Sequence, residues 1–360
     1  MPYYIGTEFD RLDCMISALT IHDHVAHSIS LTGYIRSLNM ETSAVIQEAS
    51  LHCAEAPRQL FTCMDVCSND QWATGSDTGS LALWKQGGGT LVHRFPTHHA
   101  LKLGCIKECS PYIFSGGHDG YFKALDVEKQ EVVHGYTACG CPIQDLIVVD
   151  SKKCWTGTWD GKIRLLDLSG RDCAALIHTD DGGQSMVRSL AISDDGNRIY
   201  AAHGCGYICC WDIREASKVF MRYPGHKDAV TSIVVKGNRL YSGSDDQNVR
   251  IFDAEKGLSL DKMSGHTQGV SCVGVDDGNL FSASSDCSIR RYNLDDVEAA
   301  IEIRQKHHEE EKKAADEEKQ RKMEEEAASQ VKSKGKKGKG KGKGKGKGDK
   351  GKKGKGKKKK

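Results

Sequence analysis

The stretch RLYSGSDDQNVRIFD, residues 239–253, is two short alternating runs separated by a polar turn and closed by an acid. The chain then reads NLFSASSDCSIRRYN at residues 279–293, with the same residue types at the same offsets. Earlier copies are AAHGCGYICCWD ending at Asp212, TGTWDGKIRLLD at Asp167, SGGHDGYFKALD at Asp126, TGSDTGSLALWK at Lys85 and a weaker SISLTGYIRSLN at Asn39. The residues before the closing positions are Leu38, Trp84, Leu125, Leu166, Trp211, Phe252 and Tyr292, so the copies step by 46, 41, 41, 45, 41 and 40 residues. A period near forty with four short strands per copy signals radial repetition.

The sixth copy shows the physical unit. AVTSIVV runs apolar, RLYSGS follows a Gly-Asn turn, NVRIFD follows Asp245-Asp246-Gln247, and LSLDKM ends at Gly265-His266. These are four strands divided by turn residues. The first is almost wholly apolar, which predicts burial on both sheet faces. One such sheet cannot cover both of its own faces, whereas a closed ring of sheets covers each blade with its neighbours and protects the edges.

These residues resemble the WD-repeat β-propeller family. Gly225-His226 and Gly265-His266 match its Gly-His dipeptide, Trp211-Asp212 its Trp-Asp, and Asp119, Asp160, Asp246 and Asp286 its turn Asp. The resemblance covers about residues 1–295 and implies an all-β fold, a seven-bladed propeller. It also implies a buried hydrogen-bonded set within a blade: His226, Ser242, Asp246 and Phe252 in the sixth, and His266, Ser282, Asp286 and Tyr292 in the seventh. Thr32, Thr78 and Cys205 stand where blades one, two and five lack the Asp. The seventh copy has three strands, and MPYYIGTEFDRL precedes the first blade in position to supply the fourth. Fold of this kind says little about function.

Fifteen Cys is an odd count, and neither a secretory leader nor a membrane-length apolar run accompanies them. The thiols are therefore expected to be reduced, in the cytoplasm or the nucleus. Cys63 and Cys67, and Cys105 and Cys109, lie four apart on strands, a separation of roughly 13 Å that is too long for one zinc ion. They read as core residues. Cys139-Gly-Cys141 and His22-Asp-His24 sit near turns without a four-ligand set, so no metal or other cofactor is expected. Catalysis is not expected either, because the His, Ser and Asp recur with the repeat and no single polar cluster in the channel is visible.

Function is then a matter of surface. The residues before the turn Asp, namely Asp77, His118, Trp159, Gly204, Asp245 and Ser285, are expected to ring one face around the channel. Trp159 stands out as an aromatic in a turn, and tryptophan is enriched at binding hot spots. His118, Asp228 and Gln268 would complete a mixed patch for a protein or peptide partner. The segment IYAAHGCGYICCWDIR resembles the box by which some propellers dock on the adaptor of cullin-type ubiquitin ligases, through Trp211, Asp212 and Arg214; Cys205 replaces its Asp.

Residues 296–330 are rich in Glu, Lys and Ala and lack Gly and Pro, with acid-to-base pairs at Glu309–Lys313, Glu317–Arg321 and Glu318–Lys322. They predict a solvated helix, acting as a projecting spacer or a coiled-coil partner, with Val297 and Ile301 placed to pack on the propeller. Residues 331–360 carry seventeen Lys against one Asp, or +16, where the whole chain is +2, which leaves −14 for residues 1–330. Such a tail cannot bury enough apolar surface to order itself. Its Lys336, Lys337, Lys352, Lys353, Lys357, Lys358, Lys359 and Lys360 suit non-specific, salt-sensitive binding of RNA or another polyanion, since lysine offers point charges without bidentate reading. The Lys clusters also fit a nuclear-import signal. The composite expectation is a non-enzymatic scaffold with a polyanion tether; the alternative is the substrate receptor of a cullin-type ligase.

Overall fold

The computed structural model describes every residue except 1–3, 6, 13, 52–58, 97, 138–139, 151–152, 168–171, 179–184, 216–218, 277 and 337–360. Each repeat copy forms an antiparallel meander running in chain order from an inner to an outer strand. In the sixth blade these are Val230–Lys236, Arg239–Ser244, Val249–Asp253 and Ser259–Ser264. The inner strands are Ile16–His22, Phe61–Cys67, Leu103–Cys109, Ile143–Asp150, Val187–Ile192, Val230–Lys236 and Val270–Asp276. Each touches the inner strands of both neighbouring blades, and the seventh touches the first. The result is a closed seven-bladed propeller.

Seven apolar clusters fill the seven junctions between blades. Trp72 and Trp84 pack with Ile29 and Ile35 between blades one and two, and Tyr223 and Phe252 with Tyr200 between five and six. In blade six the most buried strand is not the inner one, contrary to the sequence expectation. In every blade the second strand has five buried residues in a row, whereas the inner strand of blade six has two buried residues among seven. The inner strand borders the channel, so part of it faces open space, while the second strand lies between two sheets.

Blade seven receives three strands from its own repeat and its fourth from Thr7–Arg11, antiparallel to Ser288–Asn293. Just before it, Tyr4–Ile5 adds in parallel to the outer strand of blade six. Phe9 of the closing strand meets Phe281 edge to face at 5.0 Å, and Asp10 accepts from Arg36 of blade one. The N-terminal segment thus binds both sides of the closing point.

A helix spans Leu294–Lys336, starting two residues before the sequence expectation and running past it to the Gly-rich tail. Asn293 Oδ1 caps it by accepting the amides of Asp295 and Asp296 at 2.9 and 3.2 Å. Val297 and Ile301 are fully buried in the cluster of blades six and seven, and Glu298 takes a bidentate ion pair from Arg239 at 2.6 and 2.7 Å. Residues up to Ile301 form one compact unit with the propeller. In the separate unit from Glu302 on, the described side chains are largely exposed, and Glu318–Lys322 pairs at 2.7 Å. No described helix is long and apolar enough to cross a membrane.

The tight turn between the second and third strands needs a left-handed residue. Glycine fills it in blades one to five, at Gly33, Gly79, Gly120, Gly161 and Gly206, but Gln247 and Cys287 fill it in blades six and seven with φ of 70° and 71°. Replacing Gln247 by Gly should raise stability by about 1 kcal/mol, the order of the left-handed penalty, read by urea unfolding; unchanged or lower stability would refute the strain.

Two buried histidines make the propeller sensitive to acid. Burial, reinforced by nearby His22, pushes His27 down to about 4, and burial followed by neighbouring His99 pushes His98 down to about 3. A lowered histidine favours the neutral form in the fold, so its contribution is complete above the unfolded value near 6.5 and is lost as pH falls towards 3–4. Cooling-reversible melts should show stability falling by on the order of 1–2 kcal/mol per histidine between about pH 7 and 5, with a shallower fall in His98→Asn.

Candidate functional site

One end of the channel is built by two repeating backbone devices. In every inner strand the register shifts by one residue near its start, and the bulged positions are Ser17, Thr62, Gly104, Gln144, Arg188, Thr231 and Ser271. A bulge re-aims a side chain out of the sheet alternation. In every blade, too, the residue after the second strand donates its amide to the carbonyl of the residue preceding the inner strand: Leu31 to Met15, Asp77 to Leu60, His118 to Lys102, Trp159 to Pro142, Gly204 to Met186, Asp245 to Ala229 and Ser285 to Gly269, all at 2.8–3.0 Å. The seven donors therefore occupy equivalent places around one mouth, and six of them are the residues singled out in the sequence.

Beneath the mouth, hydrogen-bonded sets anchor the turns. His226 Nδ1 donates to Asp246 Oδ2 at 3.0 Å and its Nε2 accepts from Ser242 Oγ at 2.7 Å; His266, Asp286 and Ser282 repeat the arrangement at 3.0 and 2.7 Å. Burial alone would raise the Asp246 carboxyl, but bonds from His226 and the Lys227 amide outweigh it and hold the group well below the usual range. Blade three has the same set in His99, Ser115 and Asp119, with His98 also on Ser115 at 2.7 Å. The sequence reading missed His99 because His98 stands where Gly would mark it. Blade four uses Arg164 instead, donating to Thr158 Oγ1 at 2.7 Å and to Asp160 Oδ2 at 2.6 Å. In blade two, Trp84 Nε1 donates to Thr74 Oγ1 at 2.7 Å.

At the mouth, Trp159 is 41% exposed. Its Nε1 donates to Gln144 Oε1 at 3.1 Å, and His118 Nε2 donates to the same oxygen at 3.2 Å. The two rings meet edge to face at 4.9 Å. Burial, and then the charge of Lys102, push the His118 imidazole below its ordinary value. Gln144 is the organising residue, and the sequence reading missed it. A signal was available: the second residue of every inner strand is polar or glycine, between apolar neighbours in most copies.

Asp245 lies on blade six, 3.8 Å from the bulged Arg188 of blade five, and burial raises its carboxyl despite that cation. Asp228 shares this sector and binds its neighbour's amide, Ala229, at 2.8 Å. Gln268 is exposed on blade seven. Asp228 is thus on blade six and Gln268 on blade seven, while the Trp159 group with His118 and Gln144 is on blades three and four.

The channel holds a cluster the sequence reading did not find. Lys107 of blade three lies 3.7 Å from Asp65 of blade two and also faces Asp145 of blade four. Asp65 accepts the Glu108 amide and Asp145 the Leu190 amide, each at 2.8 Å. Burial raises the Asp145 carboxyl against the pull of those partners. The three charges were invisible in sequence because each sits on a different blade. The Asp65 bonds tie blade two to blade three, and the Asp145 bond ties blade four to blade five.

Trp211 is fully buried, whereas Arg214, on the short helical turn Ile213–Glu215, donates to both oxygens of Asp212 at 3.0 and 2.7 Å. The set named for ligase docking is thus split between core and surface. Cys63, Cys67 and Cys105 are buried, and His24 reaches Asp276 at 2.9 Å. Cys139 and the tail residues Lys337, Lys352, Lys353, Lys357, Lys358, Lys359 and Lys360 lie outside the described residues, and only the backbone of Lys336 is described.

Comparison with known proteins fits this geometry. Residues 174–212, 217–253 and 257–293 match the family described as WD domain, G-beta repeat. Each segment runs from the outer strand of one blade through the first three strands of the next, ending in blades five, six and seven, so the seven-bladed β-propeller carries WD repeats there. It is 22% identical over 49% of its length, and 43% of the other chain, to a WD repeat-containing protein 55 homolog of Dictyostelium discoideum. It is 25% identical over 50% of its length to autophagy-related protein 16 of Arabidopsis thaliana, covering 35% of that protein. It is 32% identical over 29% of its length to a U3 small nucleolar RNA-associated protein 15 homolog of Gallus gallus, covering 20% of it. The chain spans less than half the length of these relatives.

Scaffold and surface residues should separate in mutation. Asp246→Ala and Asp286→Ala each strand a buried histidine and should cost roughly 2–4 kcal/mol in urea unfolding. Trp159→Ala, removing a largely surface ring, should cost under about 1.5 kcal/mol; the reverse order would assign Trp159 to the core.

Proposed function

We propose that this protein is a non-enzymatic scaffold that holds protein or peptide partners on the mouth bearing Trp159 and tethers them to a polyanion, RNA foremost, through its lysine-glycine tail. WD-repeat proteins act as scaffolds or adaptors in protein interactions. The observation that carries the first half is Trp159: an exposed indole at a turn position that the other blades fill with Leu, Asp, His, Gly, Asp and Ser. The fold needs no aromatic there, and a rigid aromatic is a suitable anchor for a partner. His118, Asp228, Asp245 and Gln268 would be contacts around the same mouth.

The second half rests on charge. A +16 tail beside a −14 remainder gains by releasing counterions from a phosphate backbone, and the U3 small nucleolar RNA-associated relative fits that chemistry. The ligase-receptor alternative would depend on Arg214, whose fork is already engaged by Asp212.

Deleting residues 331–360 should leave the melting temperature unchanged and abolish the shift of a generic single-stranded RNA in a gel. The full chain should lose that RNA steeply between about 50 and 200 mM salt. Equal binding by the truncated chain would overturn the tether.

A further inference from the structure

The mouth is chemically uneven, and its sector on blades three to five is poised for an acid. Gln144 is the hinge of the argument. Its oxygen is occupied by two donors, Trp159 Nε1 and His118 Nε2, so the part of the amide left for a partner is the N–H₂ group. The same bond turns the polar edge of the indole inward and leaves its apolar surface exposed.

Next in this sector lies Lys102, exposed, its carbonyl accepting the His118 amide at 2.8 Å. Among the described residues it has no hydrogen-bond or ion-pair partner for its ammonium. The other charges of the mouth on blades two to five are engaged: Asp77 accepts the Leu60 amide at 2.9 Å, and Arg188 faces Asp245. Between Lys102 and Gln144 the bulged position of blade three is Gly104. A Cβ there would come within 2.3 Å of the Ile143 carbonyl, so no side chain can stand between them. The equivalent turn position of blade five is Gly204, so the turn donor that follows Trp159 around the mouth carries no side chain. Leu101, exposed next to Lys102, extends the apolar margin.

We propose that this sector docks linear peptides that present a carboxylate next to a large apolar or aromatic side chain. The carboxylate sits between the Lys102 ammonium and the Gln144 amide, and the neighbouring side chain lies on Trp159. This rests on the reading of the mouth as a peptide-binding surface and gives it a chemical class. A cation on one side, an N–H₂ donor on the other and an apolar ring beyond them make a site in which acidic and apolar residues are both satisfied, whereas a basic peptide would meet Lys102.

The test uses the full chain and a phage-displayed library of random peptides, panned at about 0.15 M salt, where long-range attraction to the tail is screened. Enriched sequences are made as fluorescent peptides and measured by anisotropy against the wild type, Trp159→Ala, Lys102→Glu and Asp245→Ala, each checked by its melt. The expected peptides pair Asp or Glu with Phe, Trp or Leu. They lose at least about tenfold in affinity to Trp159→Ala and to Lys102→Glu. Changing the peptide acid to Lys should restore binding to Lys102→Glu. The tail is the same in every variant, so it cannot produce these differences. Peptides that need Trp159 but carry no acid and ignore Lys102→Glu would overturn the proposal and leave the mouth as a peptide site. Peptides that need only Asp245 would move the site to blade six and also overturn it. A library yielding nothing that any of the three substitutions weakens would overturn both the proposal and the wider reading.

Discussion

The propeller depends on one closure. Each blade is a sheet too small to bury its own two faces, so every junction cluster requires a neighbour on both sides, and a ring with one open junction would expose two apolar faces at once. The strand Thr7–Arg11 prevents this by completing blade seven, with Phe9 against Phe281 and Asp10 reaching Arg36 of blade one. Tyr4–Ile5, laid along blade six, extends the clasp across a second blade. The group of Asp65, Lys107 and Asp145 works on the same problem from the channel side, since Asp65 bonds blade two to blade three and Asp145 bonds blade four to blade five, with the Lys107 charge attracted to both carboxylates.

The mouth follows from the same repetition. A bulge at one position of seven inner strands and a hydrogen bond at one position of seven turns create two concentric rings of side chains whose backbones are fixed by the fold. Identity at most of those positions varies from blade to blade, so Gln144 and Trp159 stand in one sector while Arg188 and Asp245 pair in the next, and Gly104 is held to glycine by the Ile143 carbonyl. A constant frame with variable occupants is how one architecture comes to serve unrelated partners.

The repeat was legible because its marks are chemical necessities: a turn acid, a buried aromatic, a histidine that reaches both. Where one mark was replaced by another group able to make the same bonds, the pattern dimmed. His99 lacks the preceding glycine, and Arg164 does in blade four what histidine does in six and seven. The apolar run of the inner strands suggested burial on two faces, yet that run packs one way and borders the channel the other. The six turn residues of the mouth could be picked out by phase alone. Their grouping could not: which of them touch depends on the order of blades around a ring, and the meeting of Trp159 with His118 and Gln144 is visible only in the fold.

The closing strand also sets a timetable. Residues 7–11 leave the ribosome well ahead of their partner, Ser288–Asn293, with six blades of chain between them. At ordinary rates of translation the interval is on the order of half a minute. Through that time a strand carrying Phe9 has no native edge to join, and six finished blades wait beside an open junction. The ribosome therefore delivers this protein as an arc before it can be a ring, and any factor that shields an unpaired strand during synthesis acts on the step from which all the later order follows.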